Sequence, residues 1–188
     1  MTKKVLVPIS DGFEEIEALT IIDVLRRAGA DVTVAGLNDL KVKGRSNVTV
    51  IADKVMDESL IHDHFDMLTL PGGLPNAYTL RDDPKIISLI KEMDKSGKFV
   101  TAICAAPAAL KEAGVLKGHK ATNYPGVAAD LSGEDYVEQA VVESENIITS
   151  RGPGTAMEFA LSLVKKLFGK EKAAQIAEDL LAKEVTGY

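Results

Sequence analysis

Apolar runs of strand length alternate along the chain with longer stretches whose apolar residues recur at helical spacing. Residues 4–9 are nearly all apolar, as in a parallel strand covered on both faces, and Ser10-Asp11-Gly12-Phe13 ends the run. A helix is predicted from about Glu14 to Gly29, where the glycine supplies a stop. Further strands are predicted at 31–35, 48–51 (an edge strand) and 67–70, and one ends at Cys104. Two more, 137–142 and 146–150, are joined by a tight polar turn, Glu143-Ser144-Glu145. Helices are expected over 83–97, from just after Cys104 to near Gly114, from Thr155 to about Phe168, and over 170–184. The lysine-containing stretch up to Asn47 reads as irregular, 53–66 as a connection with a weak helical turn, and 120–125 as a short strand ending in a loop. Strands alternating with helices imply a mostly parallel sheet between helical layers. The expectation is a flavodoxin-like three-layer α/β sandwich, with residues 1–188 as one domain.

Three places break the pattern and carry candidate chemistry. On the first helix Phe13, Glu17, Ile21, Val24, Leu25 and Ala28 fall along one side, and Glu15, Asp23, Arg26 and Arg27 on the other. A carboxylate on the apolar stripe is costly to ionise, so Glu17 is expected to hold a raised pKa and a functional role. Glu14 and Glu15 are expected to complement the helix dipole with their heads in water.

The second place is Ala102-Ile103-Cys104-Ala105-Ala106-Pro107, where strand passes to helix without a spacer. A nucleophile on such a turn projects from the sheet edge and tolerates only small neighbours, a condition Ala102 and Ala106 meet. The following helix start is expected to favour the thiolate. A lone cysteine also serves often as a small buried hydrophobe, and that reading stands beside the reactive one. The third place is a pair of glycine-rich turns. Pro71-Gly72-Gly73 follows a strand where open α/β sheets place ligands, and Arg151-Gly152-Pro153-Gly154-Thr155 is either an anion or carbonyl site or a rigid strand-to-helix joint.

Composition narrows the field. A formal net charge of −6 offers no basic surface for nucleic acid. One cysteine forms no internal disulfide, and the N-terminal apolar run is too short for a signal peptide core or a membrane span, so a cytoplasmic protein is expected. No phosphate-binding glycine loop is present, and His62, His64 and His119 lack the spacing of a metal site; neither cofactor nor metal is expected.

Glu14-Glu15-Ile16-Glu17, Leu70-Pro71-Gly72-Gly73, Ala102–Pro107 and Ser150–Thr155 with Glu158-Phe159-Ala160 resemble, in order, the signature blocks of the ThiJ/PfpI superfamily, in the branch of the Parkinsonism-associated deglycase. The resemblance spans essentially the whole chain. It implies a homodimer in which Cys104 is the nucleophilic, easily oxidised thiol, Glu17 the acid bonded to it, and the N–H groups of Gly73 and Ala105 an oxyanion hole. Gly72, Tyr124, Arg151, Gly152 and Pro153 would contact substrate. Two departures matter. Ala105 stands where the protease-like branch has histidine, which argues against peptidase activity. Tyr124 stands where the deglycase branch often has histidine, and an unperturbed tyrosine is no base near neutrality, so proton transfer falls to Glu17.

The expected activity is that of a cofactor-independent glyoxalase or deglycase acting on methylglyoxal, glyoxal and their early adducts. The alternative is an oxidative-stress sensor or redox-regulated chaperone whose cysteine becomes sulfinic acid without significant turnover.

Overall fold

The computed structural model describes residues 2–183, so the predicted end of the last helix at 184 lies outside them. Strand β1 (Lys4–Ile9) feeds helix α1 (Glu15–Arg27), which leads back to β2 (Asp31–Gly36). A hairpin of β3 (Lys41–Lys43) and β4 (Thr49–Ile51) follows, then β5 (Lys54–Val55), the single turn α2 (Glu58–Ile61) and β6 (Met67–Leu70). Helices α3 (Asn76–Asp82) and α4 (Pro84–Lys95) precede β7 (Phe99–Ile103), and α5 (Pro107–Glu112) precedes β8 (Lys120–Ala121). Beyond β9 (Asp135–Tyr136), which pairs with β8, come β10 (Val141–Ser144), β11 (Ile147–Ser150), α6 (Ala156–Phe168) and α7 (Lys170–Asp179).

Seven strands pair in the order β10-β11-β7-β6-β1-β2-β5, parallel throughout except for β10 against β11. Alternate residues of β1 serve opposite layers, as the two-residue period of a strand requires. Val5, Val7 and Ile9 join Ile21 and Leu25 of α1, Phe159 and Leu163 of α6 and Ile176 of α7. Leu6 joins Leu68, Val100 and the side chains of α3, α4 and α5, among them Leu80, Ile90 and Leu110. The expected flavodoxin-like sandwich with a mostly parallel sheet is therefore present. The chain winds outward from β1 through β2 to β5 and, in the other direction, from β6 through β7 to β11. The crevice between β1 and β6 is thus the switch point where such sheets hold ligands, at their carboxyl ends.

Several details differ from the sequence expectation. The stretch before Asn47 contains β3, which pairs with β4 in a two-stranded sheet of its own. Only Val42 is buried in β3, too short an alternation to register as a strand. Helix α3 was hidden in a polar segment, and its burial rests on Asn76, Ala77 and Leu80. The β10–β11 turn lies at Glu145-Asn146: Glu145 adopts φ 55°, and Ser144 and Ile147 pair directly. Glu143 is consequently a strand residue, and its carboxylate accepts a 2.7 Å hydrogen bond from Ser162 Oγ. Residues 137–140, predicted as the start of that strand, lie outside it.

Candidate active site

Strand β7 ends at Ile103, and Cys104 takes φ 65°, a left-handed conformation that L-residues rarely adopt. The neighbouring peptide groups hold it there: Cys104 N–H donates to Ser150 O (3.0 Å) and Cys104 O accepts from Tyr124 N–H (2.9 Å). Ala102 and Ala106 are fully buried, so the small flanks read in the sequence are what lets strand and helix meet at this turn. Cys104 is 7% exposed and lies at the wall of a cavity of about 430 Å³ whose lining includes Arg45, Gly73, Leu74, Ala105, Tyr124 and Pro153.

Glu17 is fully buried on α1 and is aimed at the same point. Its Oε2 accepts the N–H of Gly72 at 2.8 Å, while Oε1 has no conventional hydrogen-bond partner. The carboxyl also meets the Cys104 thiol, and each group perturbs the other. Gly72 forms the wedge between them: a Cβ there would stand 2.5 Å from Cys104 Cβ and 2.7 Å from Glu17 Oε2. Gly73, at φ 86°, has no room for a side chain either, since a Cβ would lie 2.3 Å from Gly12 O.

Burial pushes the Glu17 carboxyl up to about 7, against the lowering effect of the bonds from the thiol and Gly72. Burial and then the charge of Glu17 push the Cys104 thiol up to about 12. The two titrate as a pair, releasing one proton near neutrality and the second only in strong alkali. This corrects the expectation that the helix start alone would favour a thiolate. Helix α5 is short and begins at Pro107, and desolvation together with the carboxylate outweighs the bonds that Gly73 and Ala105 N–H give the sulfur.

The surrounding loops are braced by a residue the sequence reading did not single out. Asn76, fully buried, donates from Nδ2 to Pro71 O (2.8 Å) and Gly72 O (2.9 Å), and its Oδ1 accepts from Ser10 N–H (2.7 Å) and Oγ (3.0 Å). It thereby ties the end of β1 to the loop after β6. Glu14 caps α1 by accepting Glu17 N–H at 2.8 Å, but it is buried. Glu15, expected on the solvated side, is also buried: the β3–β4 turn covers it, and its Oε1 accepts Ser46 N–H at 2.7 Å. Burial would raise its pKa, yet the backbone N–H groups around it, those of Ser46 and Val48 included, hold it below the usual value.

Tyr124 is 47% exposed and its ring packs on Gly126 and Gly152, where an added Cβ would come within 2.9 and 3.2 Å of ring carbons. Pro153 lines the cavity, whereas Arg151, half-buried, is not among its lining residues. Gly152 N–H is taken by Thr155 Oγ1 at 3.1 Å, which makes this turn a rigid joint rather than an open anion site. The structure thus brings together Glu17, Gly72, Gly73, Cys104, Ala105, Tyr124, Gly152 and Pro153, leaves Arg151 aside and adds Arg45 and Asn76. Among the described residues no helix is long and apolar enough to cross a membrane.

A profile of the DJ-1/PfpI family matches residues 3–166. Over 182 residues, 96% of this chain, the sequence is 44% identical to Protein DJ-1 homolog B of Arabidopsis thaliana, and the chain spans 41% of that curated relative, less than half its length. It is 37% identical over 178 residues, 94% of each chain, to a Caenorhabditis elegans protein named glutathione-independent glyoxalase DJR-1.2. Among solved structures, oxidized Toxoplasma gondii DJ-1 superposes with a TM-score of 0.92 at 41% identity, covering 96% of this chain and 98% of that one.

Proposed function

The chain belongs to the DJ-1/PfpI family, and from that premise we propose that it is a glutathione-independent glyoxalase converting methylglyoxal to lactate and glyoxal to glycolate. The observation that carries the reading is the buried Glu17 carboxyl, with its pKa raised to about 7, meeting the Cys104 thiol at the wall of an open cavity. A group with that pKa exchanges protons in both directions at neutral pH, which an isomerisation between adjacent carbons requires. A relative named as a glyoxalase supports the same reaction class.

Proton loss from the pair leaves one negative charge that rests mainly on Glu17, and the N–H groups of Gly73 and Ala105 stabilise the minor form in which Glu17 keeps the proton and the sulfur carries the charge. Thiolate attack on the aldehyde carbon forms the C–S bond and an alkoxide, which the same two N–H groups stabilise before it takes the proton of Glu17 to become the hemithioacetal. Glu17, then a carboxylate, removes the C1 hydrogen as a proton to give an enediol. It returns a proton to C2 and leaves a thioester of the 2-hydroxy acid. Attack by water breaks the C–S bond and releases the acid and the thiol. Tyr124 shapes the cavity and takes no part in proton transfer. A hemithioacetal or aminocarbinol adduct would first lose its thiol or amine, which departs with the proton of the adduct's hydroxyl and restores the aldehyde; the same steps on that aldehyde would then amount to deglycase activity.

A second reading, oxidation of Cys104 to sulfinic acid as a sensor, is favoured by Glu17 Oε1, a buried oxygen without a conventional partner that would suit an oxygen added to the sulfur. Exposed Ile16, Leu19, Val48 and Ile51 on α1 and the β3–β4 hairpin support the homodimer as its covered face.

The test is lactate release from methylglyoxal by the wild type, Cys104→Ser and Glu17→Gln. Turnover in the wild type alone supports the glyoxalase. Negligible turnover in the wild type, with stoichiometric addition of two oxygens to Cys104 by mild peroxide in mass spectra, supports the sensor.

A further inference from the structure

Among the described residues Arg45 is the one Lys, Arg, Asp or Glu in the lining of the cavity at Cys104. It sits in the turn between β3 and β4, and unlike most hairpin tips this turn is fastened to the body of the protein. Arg45 N–H donates to Phe13 O at 2.9 Å, and Glu15 Oε1 accepts from Ser46 N–H at 2.7 Å and, weakly, from Val48 N–H at 3.4 Å. Gly44, on the other side of Arg45, lies so close to Glu15 that a Cβ there would stand 2.3 Å from Oε1. A buried carboxylate kept ionised is costly, and here, beyond the N–H of Glu15 itself, its bonds go to the turn that presents one arginine to the cavity. Arg45 forms no salt bridge among the described residues, although its charge is felt at Glu17. A guanidinium without a carboxylate partner, at a largely apolar cavity whose other charge is that of the Glu17–Cys104 pair in its wall, is matched in shape and charge by a single carboxylate, which it binds through two parallel N–H groups.

We infer that Arg45 is the anion-recognition element of this cavity, that the preferred substrates are 2-oxoaldehydes bearing a carboxylate rather than neutral methylglyoxal, and that Glu15 is the residue positioning Arg45. The choice of 2-oxoaldehydes rests on the glyoxalase reading; recognition of an anion next to Cys104 does not. The overall charge of −6 repels anions, so a preference for them at this thiol has a local origin.

Two measurements separate these claims. Alkylation of Cys104 is followed with iodoacetate and with iodoacetamide, which are close in size and differ in charge; in both, the sulfur displaces iodide. The iodoacetate-to-iodoacetamide rate ratio should fall about tenfold or more in Arg45→Gln, as expected for loss of one charge-assisted contact, with part of the ratio kept in Arg45→Lys. Glu15→Gln should lower the ratio with Arg45 still in place. It should also raise KM for 4,5-dioxopentanoate while kcat stays within about twofold, the split expected of a residue that acts on binding. The second measurement compares kcat/KM for 4,5-dioxopentanoate and methylglyoxal, with the former higher in the wild type and the advantage lost in Arg45→Gln. Equal alkylation ratios in wild type and Arg45→Gln would overturn the anion site, and an unchanged ratio in Glu15→Gln would overturn the positioning role. If neither dicarbonyl is turned over but the ratio still falls in Arg45→Gln, the glyoxalase reading fails and the anion site stands.

Discussion

Replacing Glu17 by glutamine should make the protein more stable above neutral pH while abolishing turnover. In the unfolded chain the carboxyl titrates near 4.5, and in the folded protein burial lifts it to about 7. The folded state therefore holds this proton more tightly, so the group's favourable contribution is complete below pH 4.5 and is lost as pH rises through 7. At about 1.4 kcal/mol per pH unit over that interval, wild type at pH 8 carries a penalty of roughly 3 kcal/mol that it does not carry at pH 4. Glutamine keeps an oxygen to accept the 2.8 Å bond from Gly72 N–H but has no charge to desolvate. After allowance for imperfect placement of its NH2 group, a gain of about 1–3 kcal/mol remains, which for a chain of this length corresponds to a rise in Tm of roughly 2–10 °C. Thermal unfolding of both proteins from pH 4 to pH 9 checks this: the two curves should run together at the acid end and diverge above pH 5. A constant difference between them at every pH would refute the claim that Glu17 is buried at an unfavourable charge.

Other consequences are open to direct measurement. The pair's first proton leaves near neutrality, so kcat/KM for methylglyoxal and the rate of Cys104 alkylation by iodoacetamide should rise with pH through about 7 and then level; a profile still climbing at pH 10 would mean that the thiol titrates without help from Glu17. Gly72→Ala should cost about 1–3 kcal/mol of stability through overpacking, because the new Cβ meets Cys104 Cβ at 2.5 Å and Ile103 O at 2.9 Å, neither on a flexible chain end. The same change should lower kcat/KM about a hundredfold by parting the thiol from the carboxyl, as steady-state rates beside a melting curve would reveal. Asn76→Ala strands buried donors and acceptors of Ser10, Pro71 and Gly72 and should destabilise by about 3 kcal/mol or more in urea unfolding. Ile16→Glu, on the exposed apolar face of α1, should shift the sedimentation coefficient to that of a monomer without unfolding the chain.

The parts of the site legible in the sequence are those whose signal is local. Glu17 stood out because a carboxylate interrupted an apolar stripe, and Cys104 because alanines flank an abrupt change from strand to helix pattern. The mostly parallel sheet followed from the alternation of elements, since buried strands such as Lys4–Ile9 and Met67–Leu70 read as nearly continuous apolar runs. Arg45, Glu15 and Asn76 were not legible, because the role of each depends on a partner distant in the chain. Glu15 is covered by a hairpin some thirty residues on, with |i−j| of 31 to Ser46, and Asn76 is 66 residues from Ser10. Glycine signals were ambiguous for the same reason. Gly72 and Gly152 sit in similar turns, yet one opens its N–H to Glu17 while the other closes on Thr155. The ionisation of the thiol was misjudged because helix geometry is local, whereas desolvation belongs to the assembled interior.

The peptide groups on both sides of Cys104 are already committed, the N–H to Ser150 and the carbonyl to Tyr124. Whatever becomes attached to the sulfur, the main chain beneath it has little freedom to swing aside and make room. The bulk of an adduct must instead extend into the cavity, one wall of which is the half-exposed ring of Tyr124, whose own backbone hangs from the modified residue. The tyrosine is thereby placed to sense the chemical state of the thiol, and its ring protons would report occupancy without any added label.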